Sequence, residues 1–473
     1  MTKSMKLFFT LTLISALIAH GAKQPNIVLL LVDDAGYNDF GFQNNEAAYR
    51  KATPNIDTLA RDGARFTQAY VSANVCAPSR AGLMTGMYQT RGGFRDNLPS
   101  YWNKPEAVWF TEGWKQIGLD TNLKTIGDRM GALGYYTGVV GKWHLGYADH
   151  FAPHNRGFDF FKGIRAGSRS FFPLKKIDVV VPPDAYHQIE KNGVFLPESD
   201  IVHVTQSQGD AAIEFIDEAQ ANEKPFFLFL SFTAPHTPLQ SDKQSLAKAK
   251  KLFPGKGDKA HRNRQQYMGL VIGVDREVGR VLGHLEELGL EEDTMIVFLS
   301  DNGGSAKNAS NNDPLRGNKW TPFEGGYRIP MVMKWPGVIN GGSTISEPVI
   351  SLDLLPTFLS AAGGDIAEEL DGVELQPTFS GSELESRTFC WWDCNSEGLT
   401  STVLDHPWKL VMREDADRGS RKFRVKGDPN PWLFNVEDDL AETTNLAKQY
   451  PEKVQQLKAI FDEWVSEMPT PRW

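Results

Sequence analysis

The amino-acid sequence predicts an α/β fold: a large mixed, mainly parallel sheet between helices, followed by a small C-terminal α+β subdomain. Two observations point to the larger part. Four unbroken apolar runs, at residues 26–32, 136–140, 226–232 and 294–300, have the length and composition of strands buried on both faces. Segments with helical spacing lie between them, and that alternation calls for parallel strands joined by crossovers. A third observation sets off the smaller part. After Gly381 the texture changes to short strand-like runs separated by turn residues.

Taken in chain order, the elements begin with a segment outside the fold. Lys3 and Lys6 precede an apolar run at 7–18, and Ala19-His20-Gly21-Ala22 offers small residues for cleavage. Residues 1–22 are therefore expected to be a secretory signal peptide, too short in its apolar part to span a bilayer. A catalytic domain is expected over 23–381. Within it Thr53-Pro54 opens a helix that stops at Gly63, and residues 124–133 form another. The clearest helix covers 263–288. There Tyr267, Leu270, Val271, Val274, Val278, Val281, Leu282 and Leu285 keep the three-and-four spacing of one apolar face, and Gly289 ends it. The lysine-rich stretch at 243–259 reads as a solvated loop or helix face. The subdomain is expected over 382–473. It carries strand-like runs at 387–392, 400–404, 408–412 and 432–435 and a final amphipathic helix at 451–465.

The formal charge of the 473-residue chain is -9, and loss of Lys3 and Lys6 makes it more acidic still. Such a surface argues against nucleic acid as a partner, and an anionic ligand would need a local basic pocket. No other apolar stretch is long enough to cross a bilayer, so an exported protein, periplasmic or secreted and without stable membrane association, is expected. Three cysteines are present: Cys76, Cys390 and Cys394. An odd number in an exported chain points to a special fate for one of them, leaving Cys390 and Cys394 either as a disulfide or as two buried thiols.

The chemistry lies where the apolar runs end. The first leads into Asp33-Asp34, the second into Gly141-Lys142-Trp143-His144, the third into Thr233-Ala234-Pro235-His236, and the fourth into Asp301-Asn302-Gly303-Gly304. Parallel strands place all their C-termini on one edge, the edge where such folds build sites. Taken singly, each segment reads as an ordinary turn or helix cap. Together they bring carboxylates, an amide, a lysine and two histidines to one rim. Asp33, Asp34, Asp301 and Asn302 offer only oxygen, a donor set suited to calcium or magnesium and unlike that of zinc.

Cys76-Ala77-Pro78-Ser79-Arg80 is the most specific motif. Pro78 suits the first turn of a helix, so residue 76 is expected just before a helix N-terminus, where main-chain N–H groups favour an anion. With Leu83-Met84-Thr85-Gly86 close behind, the pentapeptide resembles that of the type I sulfatase family. Residues 26–36, Gly141-Lys142-Trp143-His144-Leu145-Gly146, 301–304, 315–326 and the tail at 431–446 extend the resemblance over nearly the whole mature chain. It implies an alkaline-phosphatase-like sandwich and hydrolysis of sulfate esters. It also implies a formylglycine derived from Cys76 by a formylglycine-generating or sulfatase-maturating enzyme.

Motif by motif, the resemblance assigns Asp33, Asp34, Asp301 and Asn302, with residue 76, to one calcium ion. Arg80 and Lys142 would hold the formylglycine hydrate and the sulfate, and His144 would bond to the hydrate. His236 and Lys319 would face the leaving group. The roles make chemical sense. Cations offset the negative charge around sulfur, and an aldehyde hydrate can later expel sulfate when a base removes its second hydroxyl proton, which serine cannot do.

The run Pro314-Leu315-Arg316-Gly317 before Lys319 resembles arylsulfatase B-type enzymes, which implies a sulfated carbohydrate such as a carrageenan-type galactan or a glycosaminoglycan. Arg95, His154, Arg156, Arg165 and Arg316 are candidate substrate-binding residues, the middle three within a basic and aromatic stretch that continues to Arg169. Asn308-Ala309-Ser310 fits a glycosylation sequon without other support. Two alternatives stand beside this reading: a phosphodiesterase or phosphonate hydrolase of the same superfamily, and a catalytically inactive carbohydrate-binding relative.

Overall fold

The computed structural model describes residues 24–98, 115–175, 187–255, 257–395, 398–413, 431–470 and 472. The signal-peptide expectation lies outside them. Among the described residues, eleven strands make one sheet: β1 (Asn26–Val32), β2 (Ala64–Tyr70), β3 (Tyr136–Lys142), β4 (Phe160–Ile164), β5 (Glu190–Lys191), β6 (Val194–Phe195), β7 (Phe226–Ser231), β8 (Thr294–Ser300), β9 (Arg328–Lys334), β10 (Ser343–Ile345) and β11 (Val349–Ile350). Their order is β10-β2-β9-β8-β1-β7-β3-β4-β5-β6, with β11 also on β2. The four strands read from the sequence are neighbours, β8-β1-β7-β3, and are mutually parallel. β9 runs antiparallel between β8 and β2, and β5 and β6 extend the far edge as an antiparallel hairpin, so the sheet is mixed.

Alternation along β1 shows why its apolar run is continuous. Ile27, Leu29 and Leu31 enter one core and Val28, Leu30 and Val32 the other. The first core lies beneath the helices Cys76–Thr85, Ile126–Ala132 and Leu354–Ala361. The second is covered by Pro54–Arg61, Val204–Ala221 and Lys259–Glu287. The last of these starts four residues earlier than its apolar face suggests, because the Asp258 side chain accepts a hydrogen bond from the His261 N–H and caps it. The lysine-rich stretch contains the helix Lys243–Leu252, capped in the same way by Asp242.

A four-stranded antiparallel sheet follows: β12 (Phe389–Asn395), β13 (Gly398–Asp405), β14 (Trp408–Arg413) and β15 (Trp432–Asn435). One face sends Phe389, Trp391, Leu404, Val411 and Phe434 against Tyr70, Tyr327 and Leu352 of the larger unit. The other sends Cys390, Val403, Leu410 and Leu433 against Val454, Leu457 and Phe461 of the helix Pro451–Ser466. The disulfide alternative is excluded here. Cys390 is a free thiol, and it shares one continuous strand with Cys394. Four residues of strand span about 13 Å, roughly twice what a disulfide bridges.

Candidate active site

Each side chain of the site is delivered by the end of a buried element. Main-chain hydrogen bonds tie the strand ends together: Asp33 N–H to Ala234 O at 3.1 Å, Phe232 N–H to Leu31 O at 2.8 Å, and Asp301 N–H to Val32 O at 3.0 Å. Asp33 and Asp34 follow β1, Asp301 and Asn302 follow β8, Lys142 closes β3, and His236 lies five residues beyond β7. Cys76 is the first residue of its helix, with Val75 as N-cap, so the helix begins one residue earlier than expected. Asn97 Oδ1 accepts the Ala77 N–H at 3.0 Å.

The resulting cluster is dense and buried. Cys76 Sγ lies 3.4 Å from Asp33 Oδ1 and 3.6 Å from Asp34 Oδ1. Lys319 Nζ reaches Asp34 Oδ1 at 2.6 Å and Cys76 Sγ at 2.8 Å. Lys142 Nζ reaches Asp33 Oδ2 at 2.6 Å. Arg80 donates through Nε to Asp301 Oδ2 at 2.9 Å and through Nη1 to Ser231 Oγ at 2.6 Å and Lys142 O at 3.0 Å. His236 Nδ1 sits 2.6 Å from Thr237 O, so it carries the proton, and Nε2 faces Asp34 Oδ2 at 3.6 Å. His144, with φ 62°, has a buried Nδ1 without a hydrogen-bond partner, and its ring lies on the main chain at Gly167. The structure therefore brings together all the residues expected to be catalytic or metal-ligating.

Electrostatics follow from this packing. Burial works against charge on Asp33, but Lys142, His236, Arg80 and Lys319 hold its carboxyl well below the ordinary range. Asp301, which faces Asp33 as well as Arg80, is pushed up to about 6 by burial and that like charge. Burial drives the Cys76 thiol far up, outweighing Lys142 and Lys319, so the unmodified residue is a neutral thiol. Burial also lowers His144, helped by Lys142 and Arg80, and lowers His236 against the pull of Asp33 and Asp34. For Lys319, burial is outweighed by the Asp34 and Asp33 carboxylates, which raise it above the usual lysine value.

The donor set suits a hard cation. Asn302 Oδ1 is buried without a hydrogen-bond partner while its Nδ2 donates to Asp34 Oδ1 at 2.9 Å. An orphaned amide oxygen beside Asp33 and Asp34 is what a calcium-type ion would satisfy. His236 also lies close enough to Asp33, Asp34 and Cys76 to share an ion with them, a proximity the sequence reading does not anticipate.

The candidate substrate-binding residues have other surroundings. Arg156 is buried and donates to the carbonyls of Leu119, Asp120 and Leu123. Arg165 is buried between Glu190, Asp149 and Tyr147 O, and its own carbonyl accepts the His144 N–H. Arg169 pairs with Glu198. His154 lies 3.5 Å from Asp149. Arg316 stacks 3.9 Å over Phe323 and donates to Glu442 O. Arg95, two residues before Asn97, stacks 4.2 Å over Trp392 of the small sheet.

Some supporting residues escape sequence reasoning. Glu442 grips both stems of the Lys319 loop, its main-chain oxygen accepting from Arg316 at 2.7 Å and its carboxylate from the Glu324 N–H at 2.7 Å. Lys409 joins Glu442 to Glu324 at 3.0 and 2.9 Å, all three fully buried. Asp39, Tyr267 and Arg264 buttress the Asp33-Asp34 turn from the helix side.

The fold and this constellation define a hydrolase of the alkaline-phosphatase-like class with a sulfatase site. A family model described as sulfatase matches residues 25–364, and one described as N-sulphoglucosamine sulphohydrolase, C-terminal, matches 318–460. The chain belongs to the sulfatase family and is a sulfuric ester hydrolase. It is 33% identical to arylsulfatase A of Bos taurus over 502 residues, covering 97% of this chain and 92% of the relative. It is 31% identical to N-acetylgalactosamine-6-sulfatase of Mus musculus over 408 residues, covering 84% and 74% respectively. The solved structure of Ps i-CgsB in complex with k-i-k-neocarrahexaose superposes with a TM-score of 0.83 at 32% identity, covering 95% of each chain.

Proposed function

We propose that the chain removes sulfate from a galactose-based sulfated glycan, of the carrageenan or glycosaminoglycan class, using a formylglycine at position 76 and one calcium ion. The observation that carries the reading is the Cys76 environment. A thiol kept neutral by burial, against two carboxylates, is a poor nucleophile in its own right, whereas its neighbours suit a neutral dihydroxy carbon. The glycan class rests on the relatives named for N-acetylgalactosamine and neocarrahexaose.

The residues divide the work as follows. Asp33, Asp34, Asp301, Asn302 and residue 76 hold the cation. When present, formylglycine hydrate supplies a nucleophilic hydroxyl and a second hydroxyl whose deprotonation restores the aldehyde, and calcium supplies positive charge beside it. Arg80 and Lys142 face the sulfuryl oxygens with fixed donors. His144, neutral because it is buried beside two cations, accepts the second hydroxyl's proton. His236 acts as the imidazolium, with Nδ1–H on Thr237 O and Nε2–H toward Asp34. It gives the Nε2 proton to the departing alcohol, returns to the neutral Nδ1–H form and is reprotonated from water before the next turnover. Arg95, over Trp392, contributes to the sugar site. Export to the periplasm or medium, and maturation by a formylglycine-generating enzyme, complete the proposal.

The test is a screen of purified protein against defined sulfated galactans and glycosaminoglycan oligosaccharides, coupled to mass spectrometry of the peptide containing residue 76. The expected result is sulfate release by protein carrying formylglycine. Full activity from protein bearing only cysteine would overturn the proposed nucleophile.

A further inference from the structure

The turn that presents Asp34 has a backbone that ordinary residues rarely adopt. Asp34 has φ 64°, in the left-handed region, although it is not glycine. Side chains from elsewhere in the chain hold the polar main-chain groups of this turn. Asp301 Oδ1 accepts the Asp34 N–H at 3.1 Å, Ser300 Oγ the Ala35 N–H at 3.1 Å, and Asp39 Oδ2 the Gly36 N–H at 2.9 Å. The Asp34 carbonyl is taken by Asn308, whose Nδ2 donates to it at 3.1 Å. Among the described residues no other donor to that oxygen is found.

Asn308 is itself fully buried and held in place. Its Oδ1 accepts the Ser310 N–H at 3.2 Å, and its own N–H donates to Ser305 O at 3.2 Å. The next residue, Ala309, also has φ 64°, and its carbonyl accepts from Arg264 Nη1 at 2.8 Å. Arg264 pairs with Asp39 at 2.7 Å, which closes the circuit back to Gly36. The Asn308-Ala309-Ser310 sequon thus has its acceptor nitrogen committed inside the protein.

We propose that Asn308 is a positioning residue that sets calcium affinity, by locking the Asp34 main chain in the conformation that aims its carboxylate into the site. The inference rests on the calcium reading above. Residues that orient a ligand from behind change metal affinity by about 10–100-fold when removed. Asn308→Ala is therefore expected to weaken calcium binding by about ten-fold or more, measured by titration calorimetry on the chelated full-length protein. The calcium concentration that gives half-maximal hydrolysis should shift by the same factor. Asn308→Asp, which preserves volume and the Oδ1 acceptor but replaces the amide donor, answers the same question if the alanine variant does not fold.

A merely structural role would lower the melting temperature equally with chelator and with calcium and leave calcium affinity unchanged, and that result overturns the proposal. If calcium binding is unchanged in Asn308→Ala but lost in Asp301→Ala, only this inference fails. If the wild-type protein binds no calcium, the calcium reading fails and this inference with it. A glycan on Asn308 of folded, active protein would contradict the buried geometry directly.

Discussion

Replacing His236 by alanine tests the proposed general-acid role against everything else the residue does. His236 Nδ1 is fixed on Thr237 O at 2.6 Å, which leaves Nε2, 3.6 Å from Asp34 Oδ2, as the atom that would meet the leaving group in the proposed role. The competing donor, Lys319, is held at 2.6 Å by Asp34 and raised above the ordinary lysine value, so it releases its proton less readily. A positioned acid is worth about two to four orders of magnitude when the leaving alkoxide is unstable, or roughly 3–5 kcal/mol of barrier. A nitrophenolate hardly needs that proton. Loss of the Thr237 hydrogen bond costs about 1 kcal/mol, and falls equally on every substrate. His236→Ala should therefore lose about a hundred-fold or more in kcat/KM on a sulfated sugar, but only a few-fold on nitrophenyl sulfate. Parallel steady-state assays on the two substrates, with calcium content and circular dichroism as controls, measure the ratio. Equal losses on both, with fold and metal intact, would refute the assignment and return the role to Lys319.

Other consequences can be checked independently. Cys76→Ser should abolish turnover while keeping the fold, read by sulfate release and thermal melting, unless the maturation enzyme converts serine. Asp301→Ala should lose both calcium and activity, and chelated wild-type enzyme should recover with calcium but not zinc, followed by metal analysis and nitrophenyl sulfate assay. Lys409→Met strands two buried carboxylates, Glu324 and Glu442, and should cost about 3–5 kcal/mol in urea unfolding. Asp393 is pushed from 3.8 to about 7 by burial and accepts a hydrogen bond from Tyr327 OH. Its folded value is the higher one. Its contribution is therefore complete below pH 3.8 and lost as pH rises through 7, a change of at most about 4 kcal/mol that Asp393→Asn should remove from the stability profile.

The clustering of polar residues at one rim was legible because each of four apolar runs ends abruptly in polar residues, and parallel pairing turns four sequence positions into one place. β2, β4 and β9 were not legible. Arg65, Thr67 and Gln68 interrupt β2, Lys162 interrupts β4, and Pro330 breaks the pattern of β9, while β5, β6 and β11 are two residues long and carry no periodicity. Arg156 and Arg165 suggest exposure by their charge, yet both are buried by partners up to 37 residues away. Glu442 and Lys409 lie more than 80 residues from Glu324, so only the packed small sheet reveals that they hold the loop carrying Lys319.

The site also shows how an acidic protein can receive an anion. Three buried carboxylates, Asp33, Asp34 and Asp301, face three buried cations, Arg80, Lys142 and Lys319, so the cluster is balanced by itself. That balance is what makes burial tolerable, since an unpaired ion there would cost several kcal/mol. A divalent cation added to a balanced cluster leaves it positive, and the attraction for sulfate is then local and independent of the overall charge of -9. It follows that truncating a lysine confounds two effects. Lys142→Met removes the proposed sulfate contact and also strands Asp33, whereas Lys142→Arg keeps the charge and changes only the geometry of its donors. Comparing the two variants for stability and for inhibition by free sulfate separates the role of Lys142 in holding the cluster from its role in holding the substrate.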